Sequence, residues 1–250
     1  MELILPQWGR SLPAVGALAT TRACGISPAP YDDGQGGGGL NLGVHVGDAL
    51  AHVEHNRAQI QRQLPAEPAW LTQVHGTTVL DAAQVSGAPE ADASYTTQAG
   101  VVCAIMTADC LPVLFADSAG RVVGAAHAGW RGLAGGILEN TVAHMRAAGA
   151  AELHAWLGPA IGPQQFEVGE DVLQAFVAKN PAAATAFKAI AGKPGKYLAD
   201  IYQLARLTLA ALDVHKVSGG QACTVSEPQR YFSYRRDGVT GRMAALIWLR

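Results

Sequence analysis

Residues 101–132 read VVCAIMTADCLPVLFADSAGRVVGAAHAGWRG, and their pattern decides the fold. Two apolar runs flank a polar turn at Thr107–Cys110, which predicts a buried strand, a turn and a second strand after Pro112. Residues 122–132 predict a third strand ending in a glycine-rich turn, and the following GGILENTVAHMRAAGA has helical spacing. We expect the two polar turns to lie at one edge of the sheet.

Three segments nearer the N-terminus carry further patterns. The glycine run in YDDGQGGGG, residues 31–39, predicts a mobile surface loop. In NLGVHVGD, residues 41–48, apolar residues alternate with small or polar ones, which predicts a strand and a turn, with Asp48 capping the next helix. WLTQVHGTTVL, residues 70–80, is rich in β-branched residues and predicts a strand interrupted at Gly76.

The C-terminal half continues to mix strands with helices. Residues 151–163 predict a strand that enters a Gly and Pro loop, and residues 167–180 have the spacing of an amphipathic helix. A second helix is predicted at about 198–212 and a closing strand at 242–249. The fold class is therefore α/β or α+β, with mixed β-sheets flanked by helices. No shift in composition divides the chain, so we predict one domain over residues 1–250.

The composition excludes several classes of protein. Of the 250 residues, 49% are apolar and 15% charged, which is typical of a globular protein with a large core. The formal charge of −2 and the scattered Lys and Arg residues argue against a nucleic-acid partner. No apolar run approaches the roughly 20 residues of a membrane span. The first ten residues lack a signal-peptide pattern and the four cysteines are sparse, so we predict a cytoplasmic protein.

Three side chains suit a divalent metal, zinc or copper. His75, Cys110 and His127 each follow or end an apolar run at a polar or glycine-containing turn, where a rigid scaffold presents ligands to a cleft. Catalytic zinc takes three protein ligands, prefers imidazole and thiolate, and keeps a fourth position open. Their separations of 35 and 17 residues match no zinc-finger spacing, so spacing alone leaves an inert buried thiol at Cys110 as an alternative.

The remaining cysteines and histidines are interpreted as structural, with two exceptions. Cys103 lies within an apolar run and is expected to be an inert core thiol. Cys223 is the reserve candidate for a fourth ligand if the metal were structural. His45 is kept among the predicted substrate-binding residues, whereas most other histidines lie on helix faces or in strand alternation.

Five segments in order, QVHG, TADCLPV, AAHAGWRG, LGPAIGP and FSYRRDGVTGR, resemble the YfiH family of laccase-domain or peptidoglycan-editing-factor proteins. The resemblance extends over nearly the whole chain and implies a YfiH-like fold. It also implies that His75, Cys110 and His127 bind zinc. Many members carry cysteine where this chain has Gln164 and Gln165, so substrate preference does not transfer directly.

The resemblance further implies activity on purine nucleosides, with phosphate as the second substrate. The expected reactions are phosphorolysis of adenosine, inosine, guanosine and methylthioadenosine, and deamination of adenosine. A zinc-bound water with a pKa near roughly 7 can attack C6 of adenine while a carboxylate moves the proton. Asp109 is the candidate carboxylate, and a turn residue that caps local amides is the equal alternative.

Phosphate binding is expected to use arginine, because a guanidinium can meet two phosphate oxygens at once. The candidates are Arg57, Arg131, Arg235 and Arg236. A plain surface charge is the alternative for Arg57. For the adjacent pair in SYRRDG, a solvated loop is the alternative to a charged loop with aromatic stacking faces.

Three rival functions use the same residues. Copper-dependent phenol oxidation is disfavoured because a multicopper oxidase needs many histidines, usually in His-x-His pairs, and the eight histidines here include no such pair. In a hydrolase or amidase that edits a peptidoglycan precursor, Cys110 would be a nucleophile activated by His127. In a non-enzymatic module the cluster would hold a structural metal.

Overall fold

The structure is a computed structural model that describes residues 2–9 and 11–250. Met1 and Arg10, which belong to the N-terminal segment interpreted above, lie outside the described residues. The strands are β1 (Leu3–Ile4), β2 (Val15–Thr20), β3 (Ala23–Ser27), β4 (Pro68–Ala69), β5 (Val79–Asp81), β6 (Ala93–Thr96), β7 (Val102–Thr107), β8 (Leu111–Asp117), β9 (Val123–Ala128), β10 (Leu153–Leu157), β11 (Glu167–Gly169), β12 (Phe187–Ala189), β13 (Lys196–Ala199), β14 (Lys216–Gly219) and β15 (Met243–Leu249). The α-helices are α1 (Leu50–Gln61), α2 (Trp130–Gly135), α3 (Ile137–Ala147), α4 (Glu170–Val177), α5 (Ile201–Ala211) and α6 (Tyr234–Asp237), and short 3-10 helices span Ala82–Gln84 and Pro181–Ala186.

Two large sheets and one small sheet organise these strands. The five-stranded sheet has the order β1-β2-β15-β7-β4, the six-stranded sheet the order β14-β10-β8-β9-β6-β5, and the small sheet the order β11-β13-β12. Most neighbours are antiparallel, but β4 with β7, β5 with β6 and β10 with β14 are parallel. Mixed sheets flanked by helices confirm the predicted fold class.

The core consists of layers on either face of the six-stranded sheet and a further layer on the other face of the five-stranded sheet, so β7 is also covered on both sides. Along β8, Leu114 faces the five-stranded sheet, where it belongs to one cluster with Ile105 of β7. Phe115, the next residue, faces the opposite way and belongs to the cluster formed with Ile137 of α3 and Leu204 of α5. Because successive strand side chains point to opposite faces, a strand covered on both sides is apolar throughout. This double burial explains the continuous apolar runs in residues 101–132.

The central prediction for residues 101–132 is confirmed. β7, the turn at 108–110, β8 and β9 follow in the expected order, although β8 begins at Leu111, one residue before Pro112. The turn predicted after β9 is wrong in part, since Trp130–Gly135 form α2. The chain turns instead at Gly136, whose φ of 111° lies in the left-handed region that favours glycine.

Two strand predictions nearer the N-terminus are wrong. Residues 41–48 form turns without a strand, because the side chain of Asn41 and the guanidinium of Arg57 take the backbone contacts that a ladder would supply. Residues 70–78 form an irregular segment with only an isolated bridge at Thr72, so the predicted strand survives only as β5. The break is at His75, with φ of 60°, as well as at Gly76.

The other boundaries differ by a few residues. α1 is confirmed, but its N-cap is Ala49; the carboxylate of Asp48 accepts the Ala49 amide at 2.8 Å and does not cap the helix from the predicted position. The helix predicted at 167–180 begins at Glu170, because the three preceding residues pair with β13. Residues 31–38 lack helix and strand, as the glycine run predicts, and Gly39 forms isolated bridges with Ala23 and Ser27.

Candidate metal centre

One edge of the six-stranded sheet brings two predicted ligands together. β8 and β9 are antiparallel, and Pro112 pairs with His127. The start of β8 and the end of β9 therefore meet at the same edge, as predicted for the two polar turns. Cys110 lies just before β8 and is partly exposed, whereas His127 is 3% exposed within β9.

The third ligand comes from the irregular segment at residues 70–78, which we call the His75 segment. The side-chain amide of Gln73 binds this segment to β7, donating to the carbonyl of Met106 and accepting from its amide, both at 2.8 Å. Gln73 thus replaces a pair of strand hydrogen bonds. The exposed ring of His75 is held against the sheet edge where Cys110 and His127 lie.

The three donor groups are close enough to share one ion. Their ligand atoms all lie within 4.8 Å of one another, and Cys110 Sγ is 3.7 Å from His75 Nε2. Donors bonded to zinc at about 2.1 and 2.3 Å with a tetrahedral angle would be about 3.6 Å apart. A Cβ added at Gly129 would lie 3.0 Å from both the Cys110 sulfur and the His75 ring, so the absent side chain leaves room for this approach.

A buried carboxylate supports two of the three ligands. Asp92 is fully buried just before β6, and its Oδ1 accepts His127 Nδ1–H at 2.7 Å. The same carboxylate accepts the consecutive backbone amides of Val74, His75 and Gly76 at 3.1, 2.9 and 2.7 Å. The Nδ1 bond leaves Nε2 of His127 free to bind a metal. The sequence interpretation missed Asp92, although a charged residue at the start of an apolar strand is a usable signal.

The electrostatics of the cluster pair a deprotonated thiol with a protonated imidazole. Burial raises the pKa of the Cys110 thiol, but the charge and hydrogen bonds of His127 and then His75 lower it to about 6. Burial lowers the pKa of His127, but Cys110 and Asp92 raise it to about 9. The pair is thus a thiolate beside an imidazolium, and a bound cation would take the place of the imidazolium proton.

A cleft of about 180 Å³ opens beside the cluster. It is lined by polar, aromatic and apolar side chains from the His75 segment, the turn at 108–110, α2, residues 161–166, α5 and α6: His75, Ala108, Asp109, Cys110, Trp130, Arg131, Ile161, Phe166, Ile201, Tyr234 and Arg235. Arg131 is exposed, with its guanidinium carbon 4.5 Å from the centre of the Trp130 ring. Two metal ligands and two predicted phosphate-binding arginines therefore share one cavity.

Asp109 lies in this cleft in a constrained conformation. Its φ of 92° is unfavourable for a residue with a Cβ, and its carbonyl accepts the amide of Ile161 at 2.9 Å. Its carboxylate accepts the Thr224 hydroxyl at 2.5 Å and the Arg235 amide at 2.6 Å. The carboxylate therefore accepts a hydroxyl and an amide of the distant 224–237 region, whereas the alternative prediction is a cap on local amides. Strain held in this way is common at functional sites.

The two adjacent arginines have different surroundings. Arg235 lines the cleft, and Nη1 of its guanidinium donates to the carbonyl of Glu167 at 3.0 Å. The guanidinium of Arg236 donates to the carbonyls of Thr224 and Tyr231 at 2.7 and 3.0 Å and to the neighbouring Asp237. This geometry favours phosphate binding by Arg235 and a structural role for Arg236.

The predicted residues His45 and Arg57 do not line the 180 Å³ cleft. The guanidinium of Arg57 donates to the carbonyl of Leu42 at 3.0 Å and stacks on the Trp70 ring at 4.2 Å. The pKa of His45 is lowered by burial and by the charges of Arg242 and Arg57. Arg57 and Arg242 form a second positive group, with His45 beside them, and none of the three side chains lines the 180 Å³ cleft.

The other cysteines do not join the cluster. Within residues 2–9 and 11–250, His75, Cys110 and His127 are the group of His, Cys, Asp and Glu side chains that can hold an ion. Cys223, the reserve ligand, accepts the Gly162 amide at 3.3 Å. Cys103 is fully buried, and burial raises its pKa to about 12, as expected for an inert core thiol.

This chain and its fold have counterparts among known proteins. The chain belongs to the family described as multi-copper polyphenol oxidoreductase laccase, whose model matches residues 16–250. It is 51% identical over 254 residues to the Escherichia coli protein named purine nucleoside phosphorylase YfiH, covering 99% of each chain.

Two further relatives cover nearly the whole chain. A Pseudomonas aeruginosa protein, also named purine nucleoside phosphorylase, is 51% identical over 247 residues and 98% of each chain. The crystal structure of a Neisseria meningitidis protein superposes with a TM-score of 0.91 at 50% identity, covering 100% of this chain and 99% of that one. The resemblance to the YfiH family and its fold are thereby confirmed.

Among the helices of the described residues, none has the length and apolar character needed to cross a membrane.

Proposed function

We propose that the chain is a zinc-dependent purine nucleoside phosphorylase that acts on adenosine, inosine, guanosine and methylthioadenosine and also deaminates adenosine. One observation carries the proposal: the donors of His75, Cys110 and His127 lie within 4.8 Å of one another at the wall of an open cleft of about 180 Å³. Three ligands with an open fourth position are typical of catalytic zinc. The enzyme names of relatives at 51% identity support the same class.

The donor set fits zinc better than a copper oxidase centre. Two imidazoles and one thiolate are zinc ligands, and His127 already has the Asp92 partner that zinc-bound histidines usually have. Eight histidines without a His-x-His pair do not suit the several coppers named in the family description. When bound, zinc would polarise a substrate oxygen or lower the pKa of a bound water to near 7.

In phosphorolysis the chain would position phosphate against the sugar. Arg131 and Arg235 line the cleft, and their planar guanidinium groups can each meet two phosphate oxygens. A phosphate oxygen forms the bond to C1′ as the bond from C1′ to N9 breaks, and the purine leaves with the bonding electrons and gains a proton. The aromatic side chains of Trp130 and Tyr234 offer faces for the base.

In deamination the carboxylate of Asp109 would carry the proton. It accepts a proton from the attacking water and delivers it to the amino group that leaves C6 as ammonia. Thr224 and the Arg235 amide orient the two carboxylate oxygens, so the group does not have to reorganise during the reaction. His45 and Arg57 would bind the far end of the substrate from the second positive group.

The test incubates metal-quantified protein with adenosine, with and without phosphate, and separates the products by chromatography. Adenine with ribose 1-phosphate supports phosphorolysis, and inosine with ammonia supports deamination. If protein that contains one zinc per chain forms neither set of products, the proposal is contradicted. Arg235→Gln should raise the KM for phosphate at least about tenfold, since a clamp bond to an anion is worth about 1.5 kcal/mol or more.

Arg236→Gln is the matched control for that variant. It removes the same charge one residue away, but its lost bonds are to carbonyls of the chain, so we expect a lower melting temperature with an unchanged KM for phosphate. A phosphate KM raised equally by both substitutions would contradict the separate roles of the two arginines.

A second candidate function is a cysteine hydrolase that edits a peptidoglycan precursor. The favouring observation is that His127 contacts the Cys110 thiolate and that the Nδ1 atom of His127 donates to Asp92 at 2.7 Å. A nucleophile, a base and a carboxylate that orients the base are typical of an activated cysteine. Protein purified without chelator that holds no zinc, but loses all activity on stoichiometric alkylation of Cys110, would support this function against phosphorolysis.

A further inference from the structure

Asp92 bonds to the candidate metal centre through both its main chain and its side chain. Its carbonyl accepts the amide of His127 at 2.7 Å, which pairs β6 with β9 at the site. Its carboxylate, fully buried, accepts the Nδ1–H of the same residue and the three amides of residues 74–76. One carboxylate thus contacts the segments that supply two of the three ligands.

Each carboxylate oxygen has a distinct pair of donors. Oδ1 accepts the His75 amide at 2.9 Å and His127 Nδ1–H at 2.7 Å, so it joins the two ligands directly. Oδ2 accepts the flanking amides of Val74 and Gly76 at 3.1 and 2.7 Å. Four N–H donors converge on two acceptor oxygens, and a group that carries its own hydrogens cannot replace either oxygen without losing two bonds.

The backbone at His75 depends on these bonds. With φ of 60° it occupies the left-handed region, which costs a residue with a Cβ on the order of 1 to 2 kcal/mol. The surrounding segment is bonded to its neighbours through Gln73, the bridge at Thr72 and the Thr78 carbonyl, and none of these bonds involves residues 74–76. The converging amides around the carboxylate therefore stabilise the conformation that turns the His75 ring toward Cys110.

We propose that Asp92 is the positioning residue of the metal centre, holding the His75 segment in its left-handed conformation and fixing the His127 tautomer so that both imidazoles present Nε2 to one ion. The inference rests on the proposed metal site at His75, Cys110 and His127, and it does not depend on which nucleoside reaction the site performs. Hydrogen bonds to the outer nitrogen of a metal-bound histidine are worth about 10- to 100-fold in metal affinity.

Asp92→Asn tests the proposal with little change in shape. An asparagine NH₂ in the place of Oδ1 would donate to His127 Nδ1, so the ring proton would move to Nε2 and block the metal. In the place of Oδ2 it would meet the amides of Val74 and Gly76 and release the His75 segment. Either orientation loses one ligand, so we expect zinc to bind about 10- to 100-fold more weakly.

Asp117→Asn is the matched control. Asp117 is also fully buried and accepts the Ala151 amide at 3.1 Å and Arg121 Nε at 3.0 Å, but it lies at the opposite end of β8 from Cys110. Both variants should lower the melting temperature, whereas the zinc affinity of Asp117→Asn should stay within about threefold of the wild type. Zinc affinity is measured by competition with a chromophoric chelator, and cobalt(II) provides a thiolate charge-transfer band as a spectroscopic signature.

The outcomes separate the two levels of the proposal. Wild-type protein that binds no zinc overturns the metal site and the role of Asp92 with it. Tight zinc binding by the wild type and equally tight binding by Asp92→Asn overturns the role of Asp92 alone. Should the variant not fold, histidine ¹⁵N spectra of zinc-loaded wild-type protein decide: a proton on Nδ1 of His127 supports the proposal, and a proton on Nε2 overturns it.

Discussion

The alkylation of Cys110 by iodoacetamide in metal-free protein should follow an ionisation near pH 6. Burial raises the pKa of this thiol, but His127 and His75 lower it to about 6, against 9.0 for an unperturbed cysteine. The thiolate is the reactive form, so the reaction rate follows the thiolate fraction. Because the pKa is depressed, the thiolate is fully formed above pH 7 and is lost as the pH falls through 6.

The magnitude follows from two opposing effects. At pH 7 the thiolate fraction is about 90% for a pKa of 6 and about 1% for a pKa of 9, a ratio of roughly 90. The less basic thiolate is a weaker nucleophile, by about 20-fold for three pKa units at a Brønsted slope of 0.4–0.5. Cys110 should therefore react about fourfold faster than an ordinary thiol at pH 7, and about 45-fold faster at pH 5.

The assay uses protein stripped with a chelator, in which Cys24 and Cys223 are replaced by serine. Cys103 can remain because it is fully buried and burial raises its pKa to about 12. Rates are read by mass spectrometry between pH 5 and 8, with glutathione as the reference thiol. A rate that rises tenfold with each pH unit from 6 to 8 would refute the reasoning. One equivalent of zinc should suppress the reaction.

Three substitutions test the packing around the site. Gly129→Ala should weaken zinc binding about tenfold in the chelator assay without unfolding the protein, because the added Cβ would lie 3.0 Å from Cys110 Sγ while the backbone, at φ of −59°, accepts alanine. Tyr202→Phe should cost about 1 to 3 kcal/mol in urea unfolding, since its hydroxyl accepts the Ala160 amide and donates to the Ala222 carbonyl, both at 2.8 Å. Phe115→Ala should cost about 3 to 5 kcal/mol in the same assay, because the ring is fully buried between sheet and helices. A cost below about 1 kcal/mol would show that the core can collapse around the lost ring.

Long-range contacts explain where the sequence interpretation missed. Residues 41–48 alternate as a strand does, but the Leu42 carbonyl accepts from the Arg57 guanidinium and the Leu42 amide donates to the Arg242 carbonyl, so no ladder forms. Arg236 is a residue type that binds phosphate, but its guanidinium already donates to the carbonyls of Thr224 and Tyr231. Such hydrogen bonds join segments far apart in the chain, so the local pattern of residues does not predict them.

The sequence by itself predicted the central strands and all three donor residues of the cluster. The apolar runs of residues 101–132 predict strands buried on both faces, and the antiparallel return of β8 and β9 brings Cys110 beside His127. Only the tertiary structure decided how His75 joins them. Its position depends on Gln73, bonded to Met106 from 33 residues away, and on Asp92, bonded to His127 from 35 residues away. Hydrophobic periodicity records which face of a strand is buried, whereas hydrogen bonds between distant segments form only after the layers have packed.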